Sequence, residues 1–165
     1  MIDIYQIEGP WHGPLAVCMR PRPVPWLHDD LRHLARRGYH VLVSALTPNE
    51  VDEASLGDVP AACAEHGLHF AHVPIPNLGV PPVEVALPAL TDWLAALRQG
   101  RGVAIHCFGG VGRSPTLAAA LLVLEGVSPG EAWRRVERAR GREVPDTHEQ
   151  RAWVESLFAS LHGAA

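Results

Sequence analysis

The densest chemical signal in the chain is "HCFGGVGRS", residues 106–114. Cys107 stands six positions before Arg113, and Phe108, Gly109, Gly110, Val111 and Gly112 fill the space between them. Glycine tolerates positive φ, so such a loop can turn several backbone N–H groups toward one point and form a nest for an oxyanion. Arg113 adds a planar fork that binds two oxygens of a phosphate at once. A cysteine in that positive field is favoured as its thiolate, the nucleophilic form. Together these residues read as a nucleophile aimed at phosphorus.

The flanks say which elements must hold the loop. "GVAIH" before it is a short β-branched apolar run, a buried strand, and "PTLAAALLVLEG" after it is apolar all round, a central buried helix. Ligands of open parallel sheets sit at the carboxyl ends of strands, and a helix amino end attracts anions. Other phosphate loops fit less well. All fourteen basic residues are arginine, so the lysine of a nucleotide-binding P-loop is missing. A dinucleotide fingerprint would need glycine or alanine where Pro115 stands. The bland alternative makes Cys107 a core cysteine and the glycines a tight turn, but it leaves Arg113 unexplained.

The rest of the chain supplies a scaffold of matching type. "IDIYQI", "GPLAVCMRP", "YHVLVSAL" and "LHFAHVP" read as strands. Helices are expected over "PWLHDDLRHLARRG", "GDVPAACAEHG" and a segment carrying Leu87, Leu90, Leu94 and Leu97, with Pro88 obscuring where the last begins. Ser128 with Glu131, and Thr147 with Gln150, look like capping boxes opening two further helices. "PIPNLGVPP" holds four prolines in nine residues and is expected to be a stiff loop. Alternating strands and helices imply an α/β fold, a single domain over residues 1–165 with a mainly parallel central sheet and helices on both faces.

Composition narrows the class further. A net charge of −4 offers no footprint for nucleic acid or an anionic membrane. Three cysteines, Cys18, Cys63 and Cys107, are an odd count without paired spacing, which points to a reducing cytoplasm rather than a disulfide framework. The first residues lack the pattern of a signal peptide, and no apolar run approaches the roughly 20 residues of a membrane span. His66, His69 and His72 are spaced for opposite faces of a strand, so no metal site is expected.

"HCFGGVGRS" fits H-C-x-x-G-x-x-R-S/T, and with it the chain resembles the cysteine-dependent protein tyrosine phosphatase superfamily, in its compact dual-specificity branch. The resemblance runs more weakly from "LTPNE" through "PIPNLGVPP" to "VPDTHEQ". It implies a tyrosine phosphatase-like fold and a two-step reaction without cofactor or metal. Cys107 would take the phosphoryl group from a phosphorylated protein or small phosphate ester, and water would then hydrolyse the phosphocysteine. Arg113 and the loop amides would stabilise the equatorial oxygens. His106 is expected to orient the loop and support the thiolate. Ser114 is read as the helix N-cap before Pro115, and by resemblance its hydroxyl steadies the leaving thiolate.

One departure stands out. The resemblance calls for an aspartic acid in the proline loop to protonate the leaving group, and this chain has Asn77. An amide cannot act as an acid, and losing one costs typically about 10²–10⁴-fold. Among the seven aspartates, Asp146 in "VPDTHEQ" stands where the resemblance places a polar residue near the cradle. By resemblance it would serve as base in the second step and, in place of the missing acid, as acid in the first. His72 is a weaker substitute, and a helix N-terminal role is the alternative for Asp146. Glu50 reads as structural, and Cys18 and Cys63 as core residues or a redox partner for Cys107. Two rival readings remain at this point: a phospho-binding module that has lost turnover, and a rhodanese-like sulfurtransferase. A monomer is expected, with a shallow site.

Overall fold

The computed structural model describes residues 1–163. Ala164 and Ala165, the end of the expected domain, lie outside the described residues. Five strands form one sheet: β1 (Ile4–Ile7), β2 (Leu15–Cys18), β3 (Tyr39–Ser44), β4 (His69–His72) and β5 (Gly102–His106). Their order is β1-β2-β5-β3-β4, with β1 antiparallel to β2 and every other pair parallel. The order places β5 at the centre. Its five residues are all buried, as expected for a parallel strand covered on both faces.

Side chains alternate along each strand, so the sheet divides the apolar residues into two cores. Leu15, Val17, Val41, Val43, Val103 and Ile105 face one core; Ala16, Leu42 and Ala104 face the other. The second core is covered by α1 (Leu27–Arg36) and α3 (Val59–Glu65). The first is covered by α4 (Val83–Arg98), α5 (Arg113–Leu124), α6 (Pro129–Arg140) and α7 (His148–Leu161). α5 lies among the other three, which is why its sequence is apolar on every side and buried from Arg113 through Val123. Truncating Leu117, Leu121 or Leu122 there would cost about 2–5 kcal/mol.

Several expectations need correction. "TPNE" opens a helix that apolar periodicity does not reveal, α2 (Pro48–Glu53), which has no buried residue. Thr47 and Glu50 close a full capping box there, and the S/T-x-x-E spacing is its sequence signal. α5 begins at Arg113, so Ser114 is inside the first turn and does not cap it. Pro115 sits at the third helical position instead of the first. That is tolerated because its missing N–H is still one of the donors without an intrahelical partner. α4 runs through Pro88, held by Ala86 before it and Leu90, Trp93 and Leu94 after it. Ser128 does cap α6, but Glu131 does not return the bond, because Arg134 and Arg135 take its carboxylate. Thr147 and Gln150 form the expected box at α7.

Candidate active site

β5 ends at His106, whose ring is 1% exposed. Its Nδ1 lies 3.3 Å from the Cys107 carbonyl. A carbonyl only accepts, so Nδ1 carries the proton and Nε2 presents a lone pair. Burial pushes the imidazole pKa down to about 4, which keeps the ring neutral. His106 therefore bonds the loop through the backbone at Cys107 and has no charge to lend to the sulfur.

Cys107 follows at the strand's carboxyl end and is 3% exposed. Its Sγ lies 3.1 Å from Ser114 Oγ and accepts from the Gly110 N–H at 3.3 Å. Ser114, read both as the helix cap and by resemblance as a partner of the sulfur, does not cap α5, and its hydroxyl lies against Cys107 Sγ. The loop is gripped from outside by two arginines absent from the sequence reading. Arg20 donates to the Phe108 carbonyl at 2.7 Å and stacks 4.0 Å above the Phe108 ring. Arg140 donates to the carbonyls of Gly110 at 2.9 Å and Gly109 at 3.3 Å. A trans peptide carries its C=O and the following N–H on opposite sides. Holding the carbonyls of residues 108, 109 and 110 outward thus turns the N–H groups of Gly109, Gly110 and Val111 inward, where the Gly110 N–H already meets Sγ. Of the three loop glycines, Gly110 alone has positive φ, +70°. Gly112 answers a different need: a Cβ there would lie 2.5 Å from Asp146 Oδ2 and 2.9 Å from Gln150 Nε2.

Arg113 is 2% exposed and already engaged. Nη1 donates to Glu50 Oε2 at 2.7 Å and to the Ile75 carbonyl at 2.8 Å, while Nη2 donates to Glu50 Oε1 at 2.8 Å. A guanidinium has five N–H donors. The two left over are Nε–H and the second Nη2–H, which share one edge and can take two oxygens of a phosphate. Glu50, read from the sequence as structural, is thus the clamp that sets this edge. Its hydrogen bond to Arg113 holds its carboxyl below the usual range, and the Thr47 N–H donates to the same oxygen at 2.9 Å.

These groups open onto a pocket of about 360 Å³. Cys107, Phe108, Gly109, Val111, Gly112 and Arg113 form one side; Asn77, Asp146, Glu50 and Glu53 form the rest. Asn77, the position at which the resemblance calls for an aspartic acid, lines this pocket from the proline loop, and Asp146 lines it too. Glu53, which sequence reasoning passed over, joins them from α2. Neither Glu53 nor Asp146 makes an ion pair among the described residues. His72 does not line this pocket; its Nε2–H donates to the Leu46 carbonyl at 2.7 Å. Cys18 and Cys63 are buried free thiols of the second core, and burial raises both pKa values, that of Cys63 to about 12. They are packing residues on the far side of the sheet from Cys107.

Comparison with known proteins agrees with this geometry. Residues 18–127 match a family described as "Polymorphic toxin system, DSP-PTPase phosphatase". Cyclin-dependent kinase inhibitor 3 of Sus scrofa is 33% identical over 126 residues, and that of Rattus norvegicus 26%. Each alignment covers 75% of this chain but 59% of the relative, so the chain spans little more than half the length of these curated relatives. Among solved structures, kinase associated phosphatase, with its catalytic-site cysteine replaced by serine, shares the fold at a TM-score of 0.87. It is 22% identical, and 99% of this chain and 97% of that one are covered. Tk-PTP in its active form is 31% identical, with a TM-score of 0.73 over 88% of this chain and 92% of its own. The match to the family model extends over well more than half of the residues, and the chain belongs to the dual-specificity branch of the cysteine-dependent protein tyrosine phosphatases.

Proposed function

We propose that this protein hydrolyses phosphate monoesters through a phosphocysteine on Cys107. One observation carries the reading: Cys107, its loop residues Phe108, Gly109, Val111 and Gly112, and Arg113 with two N–H donors unused all line one pocket. A phosphoryl group seated there would have its equatorial oxygens on the Arg113 edge and the loop amides, with the thiolate behind phosphorus. In the first step the S–P bond forms and the ester O–P bond breaks, releasing an alkoxide or phenoxide that takes its proton from solvent water. In the second, water attacks phosphorus, the S–P bond breaks, and the Ser114 hydroxyl 3.1 Å away donates to the departing thiolate.

We assign Asp146 to the water-activating role of the second step, because it is a carboxylate on the pocket wall beside Gly112. Asn77 cannot protonate the leaving oxygen, so aryl esters such as phosphotyrosine are the better substrates. The substrate is a phosphorylated protein or a small phosphate ester, taken by a single domain that acts as a monomer in the cytoplasm. The net charge of −4 gives no support to a nucleic-acid partner. No helix among the described residues is long and apolar enough to cross a membrane.

The test is turnover of p-nitrophenyl phosphate by wild type and Cys107→Ser, with and without a metal chelator. Loss of about 10⁴-fold or more in the variant, with vanadate still bound, is the expected result. Turnover that survives in Cys107→Ser, or that the chelator abolishes in wild type, overturns the reading.

A further inference from the structure

The charges lining the phosphate pocket do not match a phosphate ester taken alone. The lining holds one cation, Arg113, and three carboxylates, Glu50, Glu53 and Asp146. Glu50 and Arg113 are bonded to each other and cancel. Glu53 and Asp146 remain, neither of them ion-paired among the described residues, beside a cysteine whose reactive form is an anion. A phosphate ester brings up to two further negative charges. The loop amides and the free donors of Arg113 can hold its oxygens, but the lining has no second cation to balance the wall.

Asp146 has a use in the second step of the reaction. Glu53 has none there, and the local structure does not explain it either. It is the last residue of α2, where the helix dipole favours a cation over a carboxylate. No residue of α2 is buried, so Glu53 supports no packing. It stands three positions after Glu50, on the same face of the helix, and both line the pocket. An exposed carboxylate kept against the dipole and beside a phosphate calls for a partner of opposite charge. We infer that Glu53 is a specificity residue, selecting phosphorylated protein segments with arginine or lysine beside the phosphorylated residue. The inference rests on the phosphatase reading and names the substrate class within it. The substrate's cation would lie between Glu53 and the substrate's own phosphate, relieving a repulsion that neutral or acidic segments meet. An exposed pair gives a preference of a few fold.

Three phosphotyrosine peptides of one length, flanked on both sides by arginine, glutamine or glutamate, test this through kcat/KM at low ionic strength. Wild type should rank them in that order, with about threefold between the first two. Glu53→Gln should cut this ratio about twofold by slowing the arginine peptide and not the glutamine one. Glu53→Arg should reverse the order. Asp92→Asn makes the same charge change in a groove that shares no residue with the phosphate pocket, and should leave the ratio as it is. No preference in wild type, or an unchanged ratio in Glu53→Gln, overturns the inference. So does an equal reduction in Asp92→Asn, which would make the preference one of net charge. Turnover without preference defeats this inference alone, whereas turnover of none of the three peptides defeats the phosphatase reading with it.

Discussion

Two loops meet over the phosphate pocket, and they are built to different standards. The Cys107 loop is fastened at every level: a central strand before it, a buried helix after it, arginines on its carbonyls and an N–H on its sulfur. The proline loop is fastened just as deliberately. The Ile75 N–H donates to the Ala45 carbonyl at 3.0 Å, the Ile75 carbonyl accepts from Arg113 and the Gly79 carbonyl accepts from Gln150. Yet the residue it presents to the pocket is Asn77, which neither gives nor takes a proton. The frame for general acid catalysis survives without the acid. Position and chemistry are therefore separable in this fold: the same Arg113 organises both loops, and only one of them carries reactive groups.

Breaking the better-armed loop should have the largest effect. Arg113→Lys keeps the charge but has three donors where Arg113 has three bonds to Glu50 and Ile75 and a two-donor fork left for phosphate, so kcat/KM should fall by about 10²–10³-fold. A loss below tenfold would show that the phosphate is held by amides alone. Arming the other loop comes next. Asn77→Asp should raise turnover of phosphoserine peptides by about 10²-fold, with a much smaller gain on p-nitrophenyl phosphate, whose leaving group needs no proton. Equal gains on both substrates would mean that position 77 acts by shape.

The walls provide a finer test. Asp146→Asn should slow phosphocysteine hydrolysis about tenfold, or about 1.4 kcal/mol of barrier, seen as a burst followed by a slow steady state. Glu53→Gln should leave that step alone. If Glu53→Gln gives the burst and Asp146→Asn does not, the two carboxylates exchange roles.

The last effect is on stability, not on rate. The His106 pKa falls from an ordinary 6.5 to about 4 on burial, so the unfolded chain takes up a proton that the folded one refuses. The associated stability is fully present above about pH 6.5 and is lost as pH falls through the folded value. Between pH 6.5 and 5 the unfolding free energy should drop by about 2 kcal/mol. Urea melts at the two pH values measure this, and His106→Asn should flatten the dependence. Glu50 adds a separate loss only at lower pH, below the ordinary carboxyl value of 4.5, since its pKa is depressed.

The fold class and the reactive loop were legible because both are local. A strand, a glycine-rich turn and a helix lie in one continuous stretch, and the apolar run of α5 announced its central place. What escaped was assembled across the chain. Arg20 and Phe108 are 88 positions apart, and Glu50 and Arg113 are 63 apart. No periodicity connects such pairs. α2 was missed because it buries no side chain and so shows no apolar stripe; only its capping box betrays it. The cap assigned to Ser114 failed by two residues, the cap being Gly112, because a proline is also tolerated at the third residue of a helix. Asn77 and Asp146 line the pocket and were singled out only through the resemblance, whereas Glu53, on the same wall, carries no motif at all.

The two arginines that grip the nucleophile loop have a consequence in time. One, Arg20, precedes the loop by 88 residues, and the other follows it by 30. As the chain is synthesised, Cys107 leaves the ribosome with half its bracket in hand and the other half not yet made. Until α6 is complete and docked, the carbonyls of Gly109 and Gly110 have nothing to hold them outward, and the amides are not committed to the pocket. A nascent chain, or one clipped ahead of Arg140, would display the signature residues and still be unarmed. On the proposed function, a Cys107 loop ready for phosphate thus comes only with the end of folding.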